Sequence, residues 1–261
     1  MMRALITSGS GMIAQQTNLD VIANNLANVN TTAFKEQRAE FQDMMYQTQR
    51  SSGAPTSTES TAPEPSQVGL GTRFVATATS FQQGAFINTG SPTNVAISGE
   101  GFFKIMKDGL PMYTRDGSFK IDAAGQLVTS DGYPLEPAIT IPPNTTQISI
   151  SPDGKVSGVS PGSSNSVEMG AIELSMFANP AGLTRMGQNL YTATTASGEA
   201  TSGAPGANGA GQLSQYNLEA SNVQIVEEMV RMITAQRAYE INSKAIQTAD
   251  DMLGILNSLK R

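Results

Sequence analysis

The chain of 261 residues contains no cysteine, no histidine and no tryptophan. Missing cysteine excludes disulfides, and missing cysteine and histidine together exclude the common zinc sites and histidine-based nucleophilic triads. Charge is also sparse: only 15% of residues are charged, with a net charge of −6. That argues against a nucleic-acid binder, which needs basic stripes. No apolar run approaches the ~18 residues of a membrane span. Arg3 is followed only by Ala4-Leu5-Ile6 before Thr7-Ser8-Gly9, too short for the apolar region of a secretory leader. The expectation is a chain that stays in the cytosol or leaves it by a route that reads no cleaved signal.

What is present is heptad rhythm at both ends. Leu5, Met12, Leu19 and Leu26 are seven apart, with Ile22 and Val29 three residues after the last two. This predicts a helix from Ala4 to about Thr31, with an a/d seam. The same segment carries Asn18, Asn24, Asn25, Asn28 and Asn30, although asparagine is a poor helix former. On that seam Asn25 flanks Leu26. Asn24 and Asn28 face away from it, which makes sense if the helix has neighbours on more than one side.

At the other end Ile225, Met232, Tyr239, Ile246 and Leu253 recur every seven residues, beside rows through Ala235, Ala249 and Leu256 and through Ala238, Ala245 and Met252. A helix over about 222–258 is expected, opened by a capping box from Ser221 and Gln224. Inside it lies a polar block of Gln236, Arg237, Glu240, Asn242 and Lys244, read either as a solvated face with a Glu240–Lys244 pair or as a register-setting interface.

Between the helices the pattern changes. Residues 51–66 are rich in serine, threonine and proline, and composition reads them as disordered or extended. From Val68 onward short apolar strands alternate with Gly/Asp breaks. Asp-Gly at 108–109, 116–117, 131–132 and 153–154 signals hairpin turns rather than calcium loops, since no EF-hand spacing is present. Residues 196–212 are Gly/Ala/Ser-rich and read as a linker. The fold class is therefore α+β: long terminal helices forming a coiled-coil-like core domain, and a central antiparallel β-rich domain, a barrel or sandwich. The expected divisions are 1–33, 34–70, 71–215 and 216–261. No phosphate loop, paired carboxylates or activated nucleophile stands out, so no catalytic, cofactor or metal residue is assigned. Helices that cannot bury their seams alone, flanking a β-domain, follow the logic of a self-assembling filament subunit.

Particular blocks sharpen this. ANNLANVNTTAFK (23–35) resembles the N-terminal signature of the bacterial flagellar axial proteins: rod, hook and hook-associated subunits. LEASNV (218–223) and MITAQRAYEINSKAIQTADDML (232–253) resemble that family's C-terminal signature. NVAISGEGFFKI (94–105), YTRDGSFKID (113–122) and GQLVTSDGYPL (125–135) are similar to its β-domain segments. Residues 41–73 resemble the insertion of the distal-rod branch. The resemblance implies a structural, non-enzymatic subunit of the distal rod in the basal body, crossing the periplasm. Its partners would be copies of itself, proximal rod proteins, the hook protein, the P-ring and L-ring bushing and the flagellar type III export apparatus. The terminal helices would carry assembly, and Tyr46, Gln47, Pro55, Pro63 and Pro65 would lie in a stiffening segment. A proximal-rod or hook-type subunit, or a non-flagellar β-rich binding module with oligomerising helices, is the alternative.

Overall fold

The computed structural model describes residues 2–53, 63–160 and 166–259. It is α+β, with a helix at each end and antiparallel strands between. The chain forms two compact units. One comprises Met1–Ala27, Gln37–Thr79 and Gln224–Arg261, the other Asn28–Glu36 and Ser80–Val223.

The first unit holds helix α1 (Met2–Ala27) and helix α2 (Ile225–Leu259). They run antiparallel, with Gly11 against the Asn242 amide and Asn25 against Glu228. The buried row of α1 is Ala14, Val21, Ile22 and Asn25, and that of α2 is Glu228, Ala235 and Ala249. Small residues let the axes approach: a methyl group on Gly11 would sit 2.9 Å from the Asn242 amide nitrogen. Strand β1 (Gln37–Asp43) pairs with β4 (Thr72–Thr79), in register from Gln37 opposite Thr79 to Asp43 opposite Thr72 with a bulge after Glu40. Phe41 and Phe74 meet edge to face, ring centres 6.1 Å apart. Between them β2 (Tyr46–Arg50) and β3 (Ser66–Gly69) form an exposed two-stranded hairpin.

Helix α1 ends at Ala27, short of the expected Thr31. Residues 28–31 form a turn in which the Thr31 hydroxyl donates to the Asn28 side chain at 3.1 Å, and Ala33 takes a left-handed φ of 56°, which a continued helix does not allow. At the start of α2 the capping box does not form. Ser221 Oγ accepts from the Val223 N–H at 3.2 Å instead, and the helix begins only at Ile225.

The second unit is β-rich. Its main sheet is open, in the order 184–187, 190–192, β8 (Leu110–Thr114), β7 (Phe102–Lys107), 174–176, 201–203, with 135–136 also on β7. No closed barrel forms among the described residues. β5 (Phe86–Asn88) pairs with 217–219, and β6 (Val95–Ser98) with 212–215. β7 is covered on both faces: Phe103 and Ile105 enter the larger core, while Phe102 joins Tyr113, Phe177 and Tyr191 on the other side. That is why Phe102 and Phe103, adjacent in sequence, are both buried, on opposite faces of β7.

Asp108-Gly109 makes the expected tight hairpin turn, both residues at positive φ. Asp116-Gly117 does not. Gly117 instead passes so close to β6 that a methyl group there would lie 1.6 Å from the Val95 carbonyl oxygen. The segment 196–212 is not a linker. It contains the strand Thr201–Gly203 and closes against β6, where a methyl group on Gly211 would meet the Ser98 carbonyl at 2.5 Å. Its small residues serve close backbone approach rather than flexibility.

Candidate functional site

Helix α1 delivers Asn25 to the interior of the first unit, 1% exposed. Its amide nitrogen donates to the Gln37 carbonyl at 2.8 Å and to Glu228 Oε2 at 3.1 Å. Its amide oxygen accepts from the Gln37 N–H at 2.9 Å. The side chain thus behaves as one more strand residue, satisfying both backbone groups at the first position of β1. Glu228 Oε1 accepts from Arg231 at 2.8 Å, so the buried carboxylate has a cation as well as an amide. An open cleft of about 410 Å³ runs beside this cluster, lined also by Gln15, Asn18, Arg38 and Thr234.

The second unit has its own clasp. Glu219, from the strand 217–219, is fully buried between two cations. Lys35 Nζ donates to its Oε1 at 2.6 Å and to the Gln82 carbonyl at 2.7 Å. Arg115 Nε donates to Oε2 at 2.9 Å, while its two terminal nitrogens reach the carbonyls of Gly101 and Gly99 at 3.2 and 2.9 Å. Gly99 and Gly101 adopt φ of 115° and 133°, conformations that suit glycine and here accompany carbonyls aimed at Arg115. The Gly84 N–H also donates to Glu219, at 3.0 Å. Burial first, and Arg115 second, hold the Lys35 ammonium below its ordinary pKa of 10.5, with Glu219 opposing them. Next to it, Asn222 accepts from the Glu36 N–H at 2.7 Å and donates to the Ser80 carbonyl at 3.0 Å. Lys35, Arg115 and Glu219 come from three separate sequence blocks, and folding brings them to one carboxylate.

The sequence-derived assembly residues are distributed as follows. In the N-terminal row Leu5, Met12, Leu19, Leu26 and Val29 are half-buried, Ile22 is buried, Asn28 is half-buried and Asn24 is exposed. Asn25 lies at the centre of the helix contact rather than at its flank. In α2 Met232, Asn242, Ile246 and Leu253 are half-buried, and Ile225, Gln236, Arg237, Tyr239 and Glu240 are exposed. The buried row of α2 is rotated from the 225–232–239–246 row to the one through Glu228, Ala235 and Ala249. Glu240 pairs with Arg237 at 2.9 Å, not with Lys244. Tyr46, Gln47, Pro63 and Pro65 are exposed, and Pro55 lies outside the described residues. The residues that sequence reasoning passed over are Lys35, Arg115, Glu219, Asn222 and Glu228. The first four stand inside the quoted blocks, and a charge amid apolar neighbours in LEASNV or TTAFK was the available signal.

Terminal helices folded onto each other, a clasp in each unit, and apolar helix faces left outward together define a structural subunit. Family comparison is specific. Residues 5–35 match the family described as flagella basal body rod protein, residues 96–158 the flagellar hook protein FlgE/F/G D1 domain, and residues 214–259 the flagellar basal body rod FlgEFG protein C-terminal family. The chain is 55% identical to flagellar basal-body rod protein FlgG of Borreliella burgdorferi, covering 100% of both chains. It is 47% identical to the FlgG of Caulobacter vibrioides over 99% of this chain and 100% of that one. Against flagellar basal-body rod protein FlgF of the same organism the identity is 34%, over 95% of this chain and 94% of the other. The chain belongs to the flagellar basal-body rod protein family.

Proposed function

We propose that the chain is a structural subunit of the distal rod, polymerising with copies of itself into the shaft that carries motor torque to the hook and encloses an export channel. The observation that carries this reading is full-length likeness to proteins named flagellar basal-body rod protein FlgG, exceeding that to FlgF of one organism. The role is mechanical rather than catalytic. In the assembly the α1 and α2 rows form a coiled-coil-like inner layer, with Asn24, Asn28, Gln236, Arg237, Glu240 and Asn242 fixing register through directional hydrogen bonds. The chain travels through the flagellar type III apparatus and spans the periplasm. It joins proximal rod proteins below and the hook above, inside the P-ring and L-ring bushing.

A shaft must resist torsion, and apolar contacts alone permit sliding. The two buried clasps supply stiffness within the subunit: each pins a segment distant in sequence through charge-assisted or bidentate bonds. Deletion of the gene and complementation test the reading. Cells without it should lack rods beyond the proximal segment and be immotile, and the full chain should restore both. Normal hooks and swimming in the deletion strain would refute it.

A further inference from the structure

Five positions put an aspartate or asparagine directly before glycine: Asp108, Asp116, Asp131, Asp153 and Asn208, the last being the one Asn-Gly step in the chain. A following glycine has no side chain to shield its backbone nitrogen. That nitrogen can attack the preceding side-chain carbonyl carbon where it is free of hydrogen bonds and the turn has room to rotate. The fold separates the five. The Gly132 N–H donates to the Thr129 carbonyl at 3.0 Å, and the Gly154 N–H to the Ser151 carbonyl at 2.9 Å. Asp116 is pinned in another way: its Oδ1 accepts from the Ser118 N–H at 3.0 Å, and Gly117 lies hard against Val95. Asp108-Gly109 and Asn208-Gly209 remain. Each is the centre of a tight turn with both φ positive, 52° and 79° in the first, 52° and 86° in the second.

The Asn208 turn is closed by one bond, from the Ala210 N–H to the Ala207 carbonyl at 2.9 Å. Both residues at its tip are exposed. Among the described residues, neither the Asn208 side chain nor the Gly209 N–H has a hydrogen-bond partner. The two open turns differ in what they can release. A carboxylate at 108 repels a nucleophile and has no good leaving group. The uncharged amide at 208 can release ammonia, the reaction that makes asparagine a labile residue.

We propose that Asn208 is a site of spontaneous deamidation, with water as the only co-reactant. The Gly209 nitrogen bonds to the Asn208 side-chain carbonyl carbon. The bond from that carbon to Nδ2 breaks, and Nδ2 leaves as ammonia with the proton from Gly209. Water then opens the cyclic imide at either carbonyl. One opening gives aspartate. The other gives isoaspartate, whose main chain runs through the former side chain and is longer by one methylene.

The position gives the reaction a structural consequence, independent of the rod reading. The loop has no slack: the Gly206 N–H donates to the Gly211 carbonyl at 3.0 Å, the Gly211 N–H to the Glu100 carbonyl at 2.7 Å, and Gly211 sits against β6. An extra backbone carbon between 206 and 211 strains those bonds. The new carboxylate also stands two residues from Ala210, which bridges the acidic residue Glu100. The same turn walls a cavity of about 300 Å³ with Met176, Phe177 and Thr201, beside the edge strand 201–203 of the main sheet. Deamidation therefore loosens that edge and adds negative charge, a change that accumulates with the age of each copy.

The test incubates the folded full chain in mildly alkaline buffer, maps its peptides by mass spectrometry and detects isoaspartate by enzymatic methylation. Residue 208 should gain the mass of an amide-to-acid exchange ahead of every other position, with isoaspartate present, and faster as pH rises. Asn208→Gln should abolish the change. Asp108→Asn should create a second reactive position in the matching open turn, whereas Asp116→Asn should create none. Hydrogen exchange at the Gly211 amide should quicken in the aged wild type and stay constant in aged Asn208→Gln. No conversion at 208 in the folded chain, over a period in which the urea-unfolded chain converts, would show that the turn protects its amide and overturn the proposal. Conversion at position 116 of the Asp116→Asn variant as fast as at 208 would overturn it too.

Discussion

The side-chain amide of Asn25 hydrogen-bonds both backbone groups of Gln37, at 2.8 and 2.9 Å, and uses its remaining donor hydrogen on Glu228 at 3.1 Å. One uncharged side chain thereby ties α1, the first residue of β1 and α2 together. A carboxylate could not donate to the Gln37 carbonyl, and an ammonium could not accept from its N–H. Asparagine supplies both functions at once, which outweighs its low helix propensity of well under ~1 kcal/mol relative to alanine.

Replacing Asn25 tests this clasp. Asn25→Ala leaves the Gln37 groups and one Glu228 oxygen without this partner in a buried site, and should cost about 2–3 kcal/mol. Asn25→Asp should cost more at neutral pH, because it sets a second carboxyl beside Glu228. That like-charge contact raises the introduced group's folded pKa above its unfolded value, so the extra cost is present at higher pH and fades as pH falls through the raised value. Urea unfolding followed by helix signal, with hydrogen exchange at the Gln37 amide, measures both.

The Glu219 clasp makes an asymmetric prediction. Glu219→Gln leaves Lys35 and Arg115 buried together without an anion and should cost about 3–5 kcal/mol. Lys35→Met leaves a balanced Arg115–Glu219 pair and should cost only about 1–2 kcal/mol. A matching or inverted order in urea midpoints would contradict the assigned geometry.

Lys35 also sets a pH dependence. Its folded pKa lies below 10.5, chiefly through burial, so between the two values the unfolded chain holds more protons. Its contribution to stability therefore rises with pH across that window and is lost as pH falls through it. The stability difference between wild type and Lys35→Met should shift in favour of wild type as pH climbs toward 10.5. A flat difference would show that the ammonium is not held as described.

Gly117→Ala should disrupt the β-rich unit. The added methyl group would meet the Val95 carbonyl, which is backbone and cannot swing aside. The expected loss is about 3 kcal/mol. Gly109→Ala, at a turn with open space around it, should cost only the strain of a left-handed residue, about 1–2 kcal/mol. Thermal unfolding of the two variants side by side separates close approach from turn conformation.

The terminal helices and the antiparallel middle were legible because their signals are periodic and local. The orientation of the helix contact was not. Periodicity gives weight to large apolar residues, and these draw the eye to Leu5–Met12–Leu19 and Ile225–Met232–Tyr239. Yet the buried rows carry Ala14 and Ala235 with Asn25 and Glu228 among them, and Gly11 lies close against Asn242. Small and polar residues can centre an interface when the amide and carboxylate satisfy each other. Residues 196–212 misled for a related reason, since the composition of a flexible linker is also that of strands crossing at short range. Lys35, Arg115 and Glu219 lie far apart in sequence, and a charged side chain is read as solvent-facing until its partner is known.

Removing residues 51–66 addresses the stiffening role assigned to this part of the chain. The deletion variant should still polymerise through its helices but give rods that bend or vary in length. Straight rods of normal length from that variant would remove the segment from the mechanical account.

The central claim is that this chain forms the distal rod. An electron cryomicroscopy reconstruction of basal bodies, isolated from cells that make this chain as their sole copy, tests it most directly. The account predicts helically repeated copies in the rod between the proximal segment and the hook, with α1 and α2 lining the inner layer around the channel. A rod density that fits no copy of this chain, or α1 and α2 lying on the outer surface against the rings, would contradict it.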